Sequence, residues 1–132
     1  MFGDTILAAM SLAFPDVCKI LVVLAPVPTP LLNMMFSTTR LPMVFNVIIG
    51  GGMSLNMLGV AVVSTGNEAG FLLGVVSQLI VGPGRVVVAS VKLFLACIPA
   101  TRMTGVTAQN GLVPNAAGVT LTPSQIIVIV IM

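Results

Sequence analysis

Two stretches decide the fold: FNVIIGGGMSLNMLG at residues 45–59 and VKLFLACIPATRMTG at residues 91–105. They align without a gap at an offset of 46 residues, which places Gly59 on Gly105. Each copy has an apolar strand, a turn of small residues and a second short strand that ends at glycine. One such hairpin is marginally stable alone, but stacked copies can close a core. The alignment therefore predicts an all-β fold of repeated hairpins.

Short apolar blocks separated by Gly, Pro, Asn, Ser and Thr fill the rest of the chain, a pattern typical of strands and turns. Val and Ile dominate the blocks, as a packed pleated surface favours. The predicted strands are 43–49, 58–63, 75–81, 85–96 and 125–131. The tail 118–131 looks like a third strand pair bent at Thr122 and Pro123, and we expect a short helix within residues 1–14.

The composition allows either a membrane protein or a chain covered by other protein. Hydrophobic residues make up 58% of the 132 residues and charged residues 6%, against about 25% charged in an average soluble domain. A transmembrane helix needs about 20 apolar residues in a row, and proline and glycine interrupt each long apolar run. The clearest interruptions are Pro26, Pro28, Pro30 and the triplet Gly50-Gly51-Gly52. We therefore predict no stable membrane span, with a small holin-like or pore-forming membrane protein as the alternative.

Charge and residue types argue against nucleic-acid binding and catalysis. The net charge is only +2, the five basic residues are scattered, and Trp and Tyr are absent. The chain has no histidine, the usual general base and zinc ligand. Its three acidic residues, Asp4, Asp16 and Glu68, are far apart in sequence. We therefore predict no enzyme, no catalytic residues and no nucleic-acid partner. Gly50-Gly51-Gly52 is interpreted as a hairpin turn that needs positive φ, not as an anion site.

The two cysteines, Cys18 and Cys97, have no metal-ligand spacing. Burial of each as a small apolar side chain is the favoured interpretation. A disulfide between them stays open at this point. An enzyme with either thiol as nucleophile is the second alternative, disfavoured because no histidine is present to activate the thiol.

Several segments in order resemble the PAAR-like spike-tip proteins of bacterial type VI secretion systems. FPDVCK at 14–19 and the proline-rich APVPTPLLN at 25–33 look like the start of that domain. VIIGGGMSLN at 47–56 is similar to its first hairpin, and Pro99-Ala100-Thr101-Arg102 is close to the Pro-Ala-Ala-Arg signature. The remaining similar segments are STGNEAG at 64–70, GVVSQLIVGPGRVVVAS at 74–90, TAQNGLVPNAAG at 107–118 and LTPSQ at 121–125.

The resemblance implies a compact cone of short β-hairpins with pseudo-threefold repeats. It implies a PAAR-like domain at 14–132 after an N-terminal extension at 1–13. The expected function is structural: the domain caps and sharpens a trimeric VgrG-type β-helical spike, which aids membrane puncture. Further expected partners are an effector or its adaptor. Such a protein is assembled in the bacterial cytoplasm and then secreted or injected with the spike. The spike-binding residues are left unassigned.

Two departures from the family pattern bear on the site. Metal-binding relatives hold zinc near the tip with histidines and a cysteine, and this chain has no histidine. We therefore expect no metal ligands and no cofactor. Cys97 stands where the first copy of the repeat has a turn glycine, Gly51. For Arg102, we expect a guanidinium that donates to turn carbonyls and holds the hairpin in place, since arginine has five donors for this.

Overall fold

The computed structural model describes residues 1–131 and is almost entirely β-structure, which confirms the all-β prediction. A single turn of 3-10 helix, Ser37–Thr39, follows the second strand. The strands within the described range are β1 Met10–Val22, β2 Ala25–Phe36, β3 Arg40–Leu41, β4 Val44–Ile49, β5 Gly52–Ser54, β6 Val60–Ala61, β7 Gly84–Val86, β8 Phe94–Leu95, β9 Ile98–Pro99, β10 Val106–Gln109 and β11 Ala116–Thr120.

One antiparallel sheet of seven strands, in the order β2-β1-β11-β10-β7-β6-β3, wraps around the middle of the molecule. The pairs β4-β5 and β8-β9 are separate hairpins. The sheet repeats one pairing three times. The equivalent partners are Arg40 with Ala61, Val86 with Thr107 and Thr120 with Ser11. The repeat seen in the sequence is therefore a pseudo-threefold repeat of the structure.

Beside this sheet, residues 2–6, 53–57 and 99–103 form a closed ring of three short segments, called the axial ring below. The Asp4 N–H donates to the Thr101 carbonyl, Leu55 N–H to Asp4, and Thr101 N–H to Leu55. A second set of three bonds runs in the opposite cyclic order: Ile6 N–H donates to the Met53 carbonyl, Met57 N–H to Pro99, and Met103 N–H to Phe2. Each segment thus bonds both others, and the three segments surround the pseudo-threefold axis.

The two sequence copies form matching hairpins with the same register. Ile49 pairs with Gly52 across the first turn, and Leu95 pairs with Ile98 across the second. These pairs are related by the 46-residue offset of the alignment. The predicted strand 43–49 is thus observed as β4, and the strand-turn-strand interpretation of both copies is confirmed.

The third hairpin is not the one expected within 118–131. Residues of the tail pair instead with the first residues of the chain: the Gly3 N–H donates to the Val128 carbonyl, and the Val130 N–H to Met1. Phe2 and Ile129 form a bridge. Meanwhile β11 pairs with β1 and β10. A strand that pairs with a segment more than a hundred residues away leaves no local signal in the sequence, which explains the wrong prediction.

Several local predictions were wrong. Residues 1–14 contain no helix: they contain bridges at Phe2, Gly3 and Thr5, and β1 begins at Met10. Residues 75–81 form turns, and only short parts of 58–63 and 85–96 are strand. The tail 125–131 contributes a single bridge, at Ile129. Glycine and proline mark where strands end. A run of Val and Ile does not by itself distinguish a strand from a turn or an exposed loop, because a strand forms only where a pairing partner from elsewhere in the chain is present.

The interior is narrow and filled mainly by small and polar side chains. Half of the buried apolar residues are alanines, while the largest fully buried side chains include Arg40, Met35 and Gln109. The large apolar residues that dominate the composition lie mostly on the outside. The high hydrophobicity therefore belongs to the surface and not to a core.

No helix among the described residues combines the length and apolar character required to cross a membrane. The division into an extension at 1–13 and a domain at 14–132 stays a prediction. Within the extension, Gly3 bridges to Arg102 and Thr5 bridges to Ser54.

Candidate functional site

Three equivalent hairpins lie at one end of the molecule, called the hairpin end: residues 44–54, 90–100, and 125–131 with the first residues of the chain. The equivalence follows from three matching bridges, Ile48 with Met53, Phe94 with Pro99, and Ile129 with Phe2. Each hairpin presents a strand with one face inward and one outward. On the inner face, Val44, Leu95 and Ala100 form a small buried cluster with Val47 and Leu93 packed against it.

The outer face of the hairpin end carries two triplets of exposed apolar side chains at equivalent positions. Each of these six side chains is more than half exposed; the triplets are Phe45, Val91 and Ile126, and Ile48, Phe94 and Ile129. Lys92 is the single charged residue of the three ranges. Exposed apolar patches of this kind mark protein or membrane contacts. The pseudo-threefold axis thus passes through a surface with three nearly equivalent apolar contact points.

The turns of the first two hairpins differ in sequence but share one backbone geometry. Gly50 and Gly51 have φ of 57° and 84°, and Ala96 and Cys97 have φ of 53° and 63°. Two successive positive φ values are typical of the type I′ turns that join twisted strands. Gly52 is the first residue of β5. Residues with a Cβ adopt this region at a cost of about 1–2 kcal/mol each, so the second hairpin is the more strained of the two.

We expect opposite effects from two matched turn substitutions. Cys97→Gly should raise the free energy of unfolding by about 1 kcal/mol, and Gly51→Ala should lower it by a similar amount. No other heavy atom lies within 4 Å of a Cβ built at Gly51, so the second change isolates the backbone term. Urea unfolding of both variants measures the difference; equal effects of the same sign would contradict the shared turn geometry.

An ion pair between Arg40 and Asp4 lies buried beside the axial ring. The closest approach, Arg40 Nη1 to Asp4 Oδ2, is 3.9 Å, and both side chains are almost fully buried. The guanidinium also donates from Nη2 to the Asn56 carbonyl at 3.1 Å and from Nε to the Gly59 carbonyl at 3.3 Å. Arg40 thus performs the carbonyl-bonding role that we expected of Arg102.

Arg102 is buried, and its Nη1 lies 3.0 Å from the Met1 sulfur. Among the residues that the structure describes, its Nε has no hydrogen-bond partner. The other three residues of the Pro-Ala-Thr-Arg turn lie along the same segment. Pro99 ends β9, Ala100 is buried, and the Thr101 hydroxyl donates to the Leu55 carbonyl at 3.1 Å. The motif therefore forms most of one segment of the axial ring. No pattern in the sequence indicates that Arg40 lies beside it.

Burial raises the pKa of Asp4 from its ordinary 3.8 to about 6, although the Arg40 charge opposes the shift. The pKa of Arg40 falls to about 10, again through burial, so its guanidinium stays charged at neutral pH. The folded chain holds the Asp4 proton to a higher pH than the unfolded chain does. Asp4 therefore favours folding most below about pH 4, and this contribution is lost as the pH rises through 6.

The pH dependence of stability tests this shift. Between pH 4 and pH 6.5, Asp4 should lower the free energy of unfolding of the wild-type chain by up to about 3 kcal/mol. Asp4→Asn removes the titrating group, so its unfolding free energy should change less over the same range. Equal pH slopes for the two proteins in urea unfolding would show that Asp4 titrates normally.

The opposite end of the molecule, called the loop end, is built from residues 14–33, 62–83 and 109–116. The buried Asp16 carboxylate joins these three segments, because it accepts hydrogen bonds from asparagines of the other two. Asn67 donates to Oδ2 at 2.9 Å, Asn110 donates to Oδ1 at 3.3 Å, and Asn115 also donates to Oδ1. The Cys18 thiol donates to Oδ1 at 3.6 Å.

The residues of this cluster do not fit the family's zinc site. They comprise one carboxylate, one thiol and three amides, and the amides donate to the carboxylate that a metal would need. Burial, followed by the Asp16 charge, raises the pKa of Cys18 to about 11, which favours the thiol over the thiolate that zinc requires. Among the described residues, no three His, Cys, Asp or Glu side chains lie close enough together to hold a metal ion.

We expect Asp16→Asn to lower the free energy of unfolding by about 3 kcal/mol, since it leaves buried amide donors without a charged acceptor. Glu68→Gln is the matched control: this exposed carboxylate accepts one bond from the Gly66 N–H and its loss should cost under about 1 kcal/mol. Thermal unfolding compares the two variants. A metal chelator should leave the wild-type midpoint unchanged, and a large drop with chelator would contradict the metal-free interpretation of the cluster.

Both cysteines are free, which answers the question left open by the sequence. Cys18 is buried at the loop end, as expected, whereas Cys97 is exposed in a turn of the hairpin end. The predicted burial of Cys97 was therefore wrong. The raised pKa of Cys18 and its burial make it a poor nucleophile.

Two adjoining shallow grooves lie on one side of the molecule, with volumes of about 340 and 330 Å³. Met57 and Val87 line both grooves, and Arg85 is the charged residue in their walls. Neither lining includes Asp, Glu or Cys. The grooves therefore lack the paired titratable groups that acid–base catalysis uses.

Together, the pseudo-threefold β-fold and the apolar hairpin end define a small all-β protein with a repeated, exposed apolar surface. The model of the Toxin PAAR-like domain family matches residues 9–117, and the chain belongs to that family. Type VI secretion is the usual setting of the family. Searches of curated proteins and of solved structures gave no match.

Proposed function

We propose that this chain caps a trimeric VgrG-type spike through its hairpin end and has no catalytic activity. The observation that carries the proposal is the pair of apolar triplets on the outer face of the hairpin end. A trimer presents three identical contact sites around its axis. A single chain can meet all three in the same way only if it repeats its own contact surface three times, as the hairpin end does.

The loop end is unsuited to the same contact, because its three segments differ in length and shape. Residues 14–33 form a long hairpin, whereas 109–116 form a short loop. Only one of three subunits could meet the hairpin. Symmetry therefore favours the hairpin end as the surface that faces the spike and leaves the loop end at the front.

The proposal includes the setting of the complex. The chain assembles on the spike in the bacterial cytoplasm and is secreted or injected with it, and it keeps its shape without zinc because the Asp16 cluster ties the loop end together. An effector or its adaptor is a further proposed partner. The family match favours this function over the alternative of a small holin-like or pore-forming membrane protein.

Co-purification with the trimeric spike protein from the same genome neighbourhood tests the proposal. We expect one copy of this chain per three spike subunits, measured by light scattering. Ile48→Asp, Phe94→Asp and Ile129→Asp should each weaken the complex about tenfold or more, since each places a charge in an apolar contact. Because the three positions are equivalent, the three losses should be similar.

Leu112→Asp is the matched control, since Leu112 is equally exposed but lies at the loop end. It should leave the affinity for the spike unchanged. A complex of another stoichiometry, or one that Leu112→Asp weakens and the hairpin-end variants do not, would contradict the assignment of the contact surface.

A further inference from the structure

The most exposed part of the molecule is the far end of the β1-β2 hairpin. Residues 21–28, LVVLAPVP, are all exposed and are called the prong below. The two strands stay paired out to Val22 and Ala25. At the turn, Val23 and Leu24 are 89% and 93% exposed. A folded chain rarely leaves a run of apolar residues in water to this extent unless another surface covers it.

The prong is uncharged and apolar on both of its faces. Successive residues of a strand point to opposite faces, and Leu21 and Val22 are each close to half exposed. The sequence has no charged residue between Lys19 and Arg40. Lys19 pairs with Pro28 at the base of the prong. A partner that binds the prong must therefore present apolar surface to both of its faces.

Prolines remove the backbone donors from the outer edge of β2. Lys19 N–H donates to the Leu73 carbonyl, on the side of β1 away from β2, so the backbone nitrogens of the pair Lys19–Pro28 face outward. Pro26 and Pro30 lie two residues either side of Pro28 and have the same orientation. This edge therefore has no N–H group at three alternate positions.

The missing donors discriminate between two kinds of partner. A protein strand that adds to a sheet edge needs the edge's N–H groups as well as its carbonyls, so this edge is poorly suited to strand addition. Lipid has the opposite requirement, because each unpaired N–H placed in hydrocarbon costs several kcal/mol in general. The edge thus avoids part of the penalty that prevents ordinary strands from entering a bilayer.

The dimensions of the prong match one leaflet. From Lys19 to the turn at Val23, the strand extends for about 13 Å at about 3.3 Å per residue, a little under half of a hydrocarbon core of about 30 Å. Lys19 then lies at the level of the headgroups, where a lysine keeps its ammonium in water while its stem packs on apolar surface.

Apolar residues also surround the base of the prong. Leu73 accepts the bond from Lys19, and the Val75 N–H donates to the Val17 carbonyl. Exposed large apolar side chains of the loop end outside the prong include Phe71, Leu73, Val75, Val76, Leu79, Leu112 and Val113. Glu68 and Lys19 are the charged residues near this surface.

We propose that a lipid bilayer is the partner of the loop end, and that the prong inserts into one leaflet while the surrounding apolar surface rests on the interface. This goes beyond the capping of the spike and beyond the membrane puncture that the family resemblance implies, because it assigns to the prong a reversible insertion into lipid that needs no spike. Binding is reversible and does not span the membrane.

Flotation of the full chain with vesicles of phosphatidylethanolamine and phosphatidylglycerol, without any spike protein, tests the proposal. The wild-type chain should float with the vesicles. The double variant Val23→Asn and Leu24→Gly replaces the turn with residues that favour positive φ, so the hairpin should stay folded while the apolar turn is lost. Its partition coefficient should fall by about tenfold or more, given the transfer free energy of two exposed aliphatic side chains.

Ile126→Ser with Ile127→Ser is the matched control, because it removes two aliphatic side chains at the hairpin end that are also mostly exposed. It should leave flotation unchanged. The proposal is overturned if the wild-type chain stays in solution, if the prong variant floats as well as wild type, or if light scattering shows a dimer that only the prong variant dissociates. Because no spike protein is present, these results do not depend on whether the hairpin end binds one.

Discussion

Three backbone hydrogen bonds around the pseudo-threefold axis hold together segments that are far apart in the chain. Asp4, Leu55 and Thr101 each donate to one neighbour and accept from the other, so no member can leave without breaking two bonds. Because the ring is closed, it has no free strand edge of the kind that makes small sheets prone to association. The sheet and the three hairpins continue from this ring in opposite directions, which gives the molecule two ends with different surfaces.

The ring also accounts for the unusual interior. The buried side chains around these three closely spaced segments include alanine, threonine and two arginines, Arg40 and Arg102. The buried carboxyl of Asp4 is tolerated because Arg40 supplies an opposite charge. Stability then depends on hydrogen bonds and on good fit more than on a large apolar core. Large apolar side chains are consequently available for contacts at the surface, as expected of a protein that functions by binding partners.

Sequence reasoning succeeded where the signal was local or repeated. The alignment predicted a strand-turn-strand unit in both copies, but it did not predict that Ala96 and Cys97 adopt the positive φ of Gly50 and Gly51. Sequence reasoning failed where the interacting residues are far apart along the chain. Nothing in the run QIIVIVI at 125–131 indicates that it pairs with the first three residues, and nothing around Arg40 indicates that its guanidinium crosses to Asn56. The Asp16 cluster likewise unites residues up to 99 positions apart.

The sequence by itself determined the fold class, the repeat and the family, because these are carried by residue type and by fixed spacing along the chain. Its lack of histidine also made a zinc tip improbable before any geometry was known. Only the tertiary structure decided which surfaces the apolar residues occupy. Hydropathy is the same for a valine in a core, in a hairpin face or at the end of the prong, and burial depends on contacts between segments that the linear order does not record.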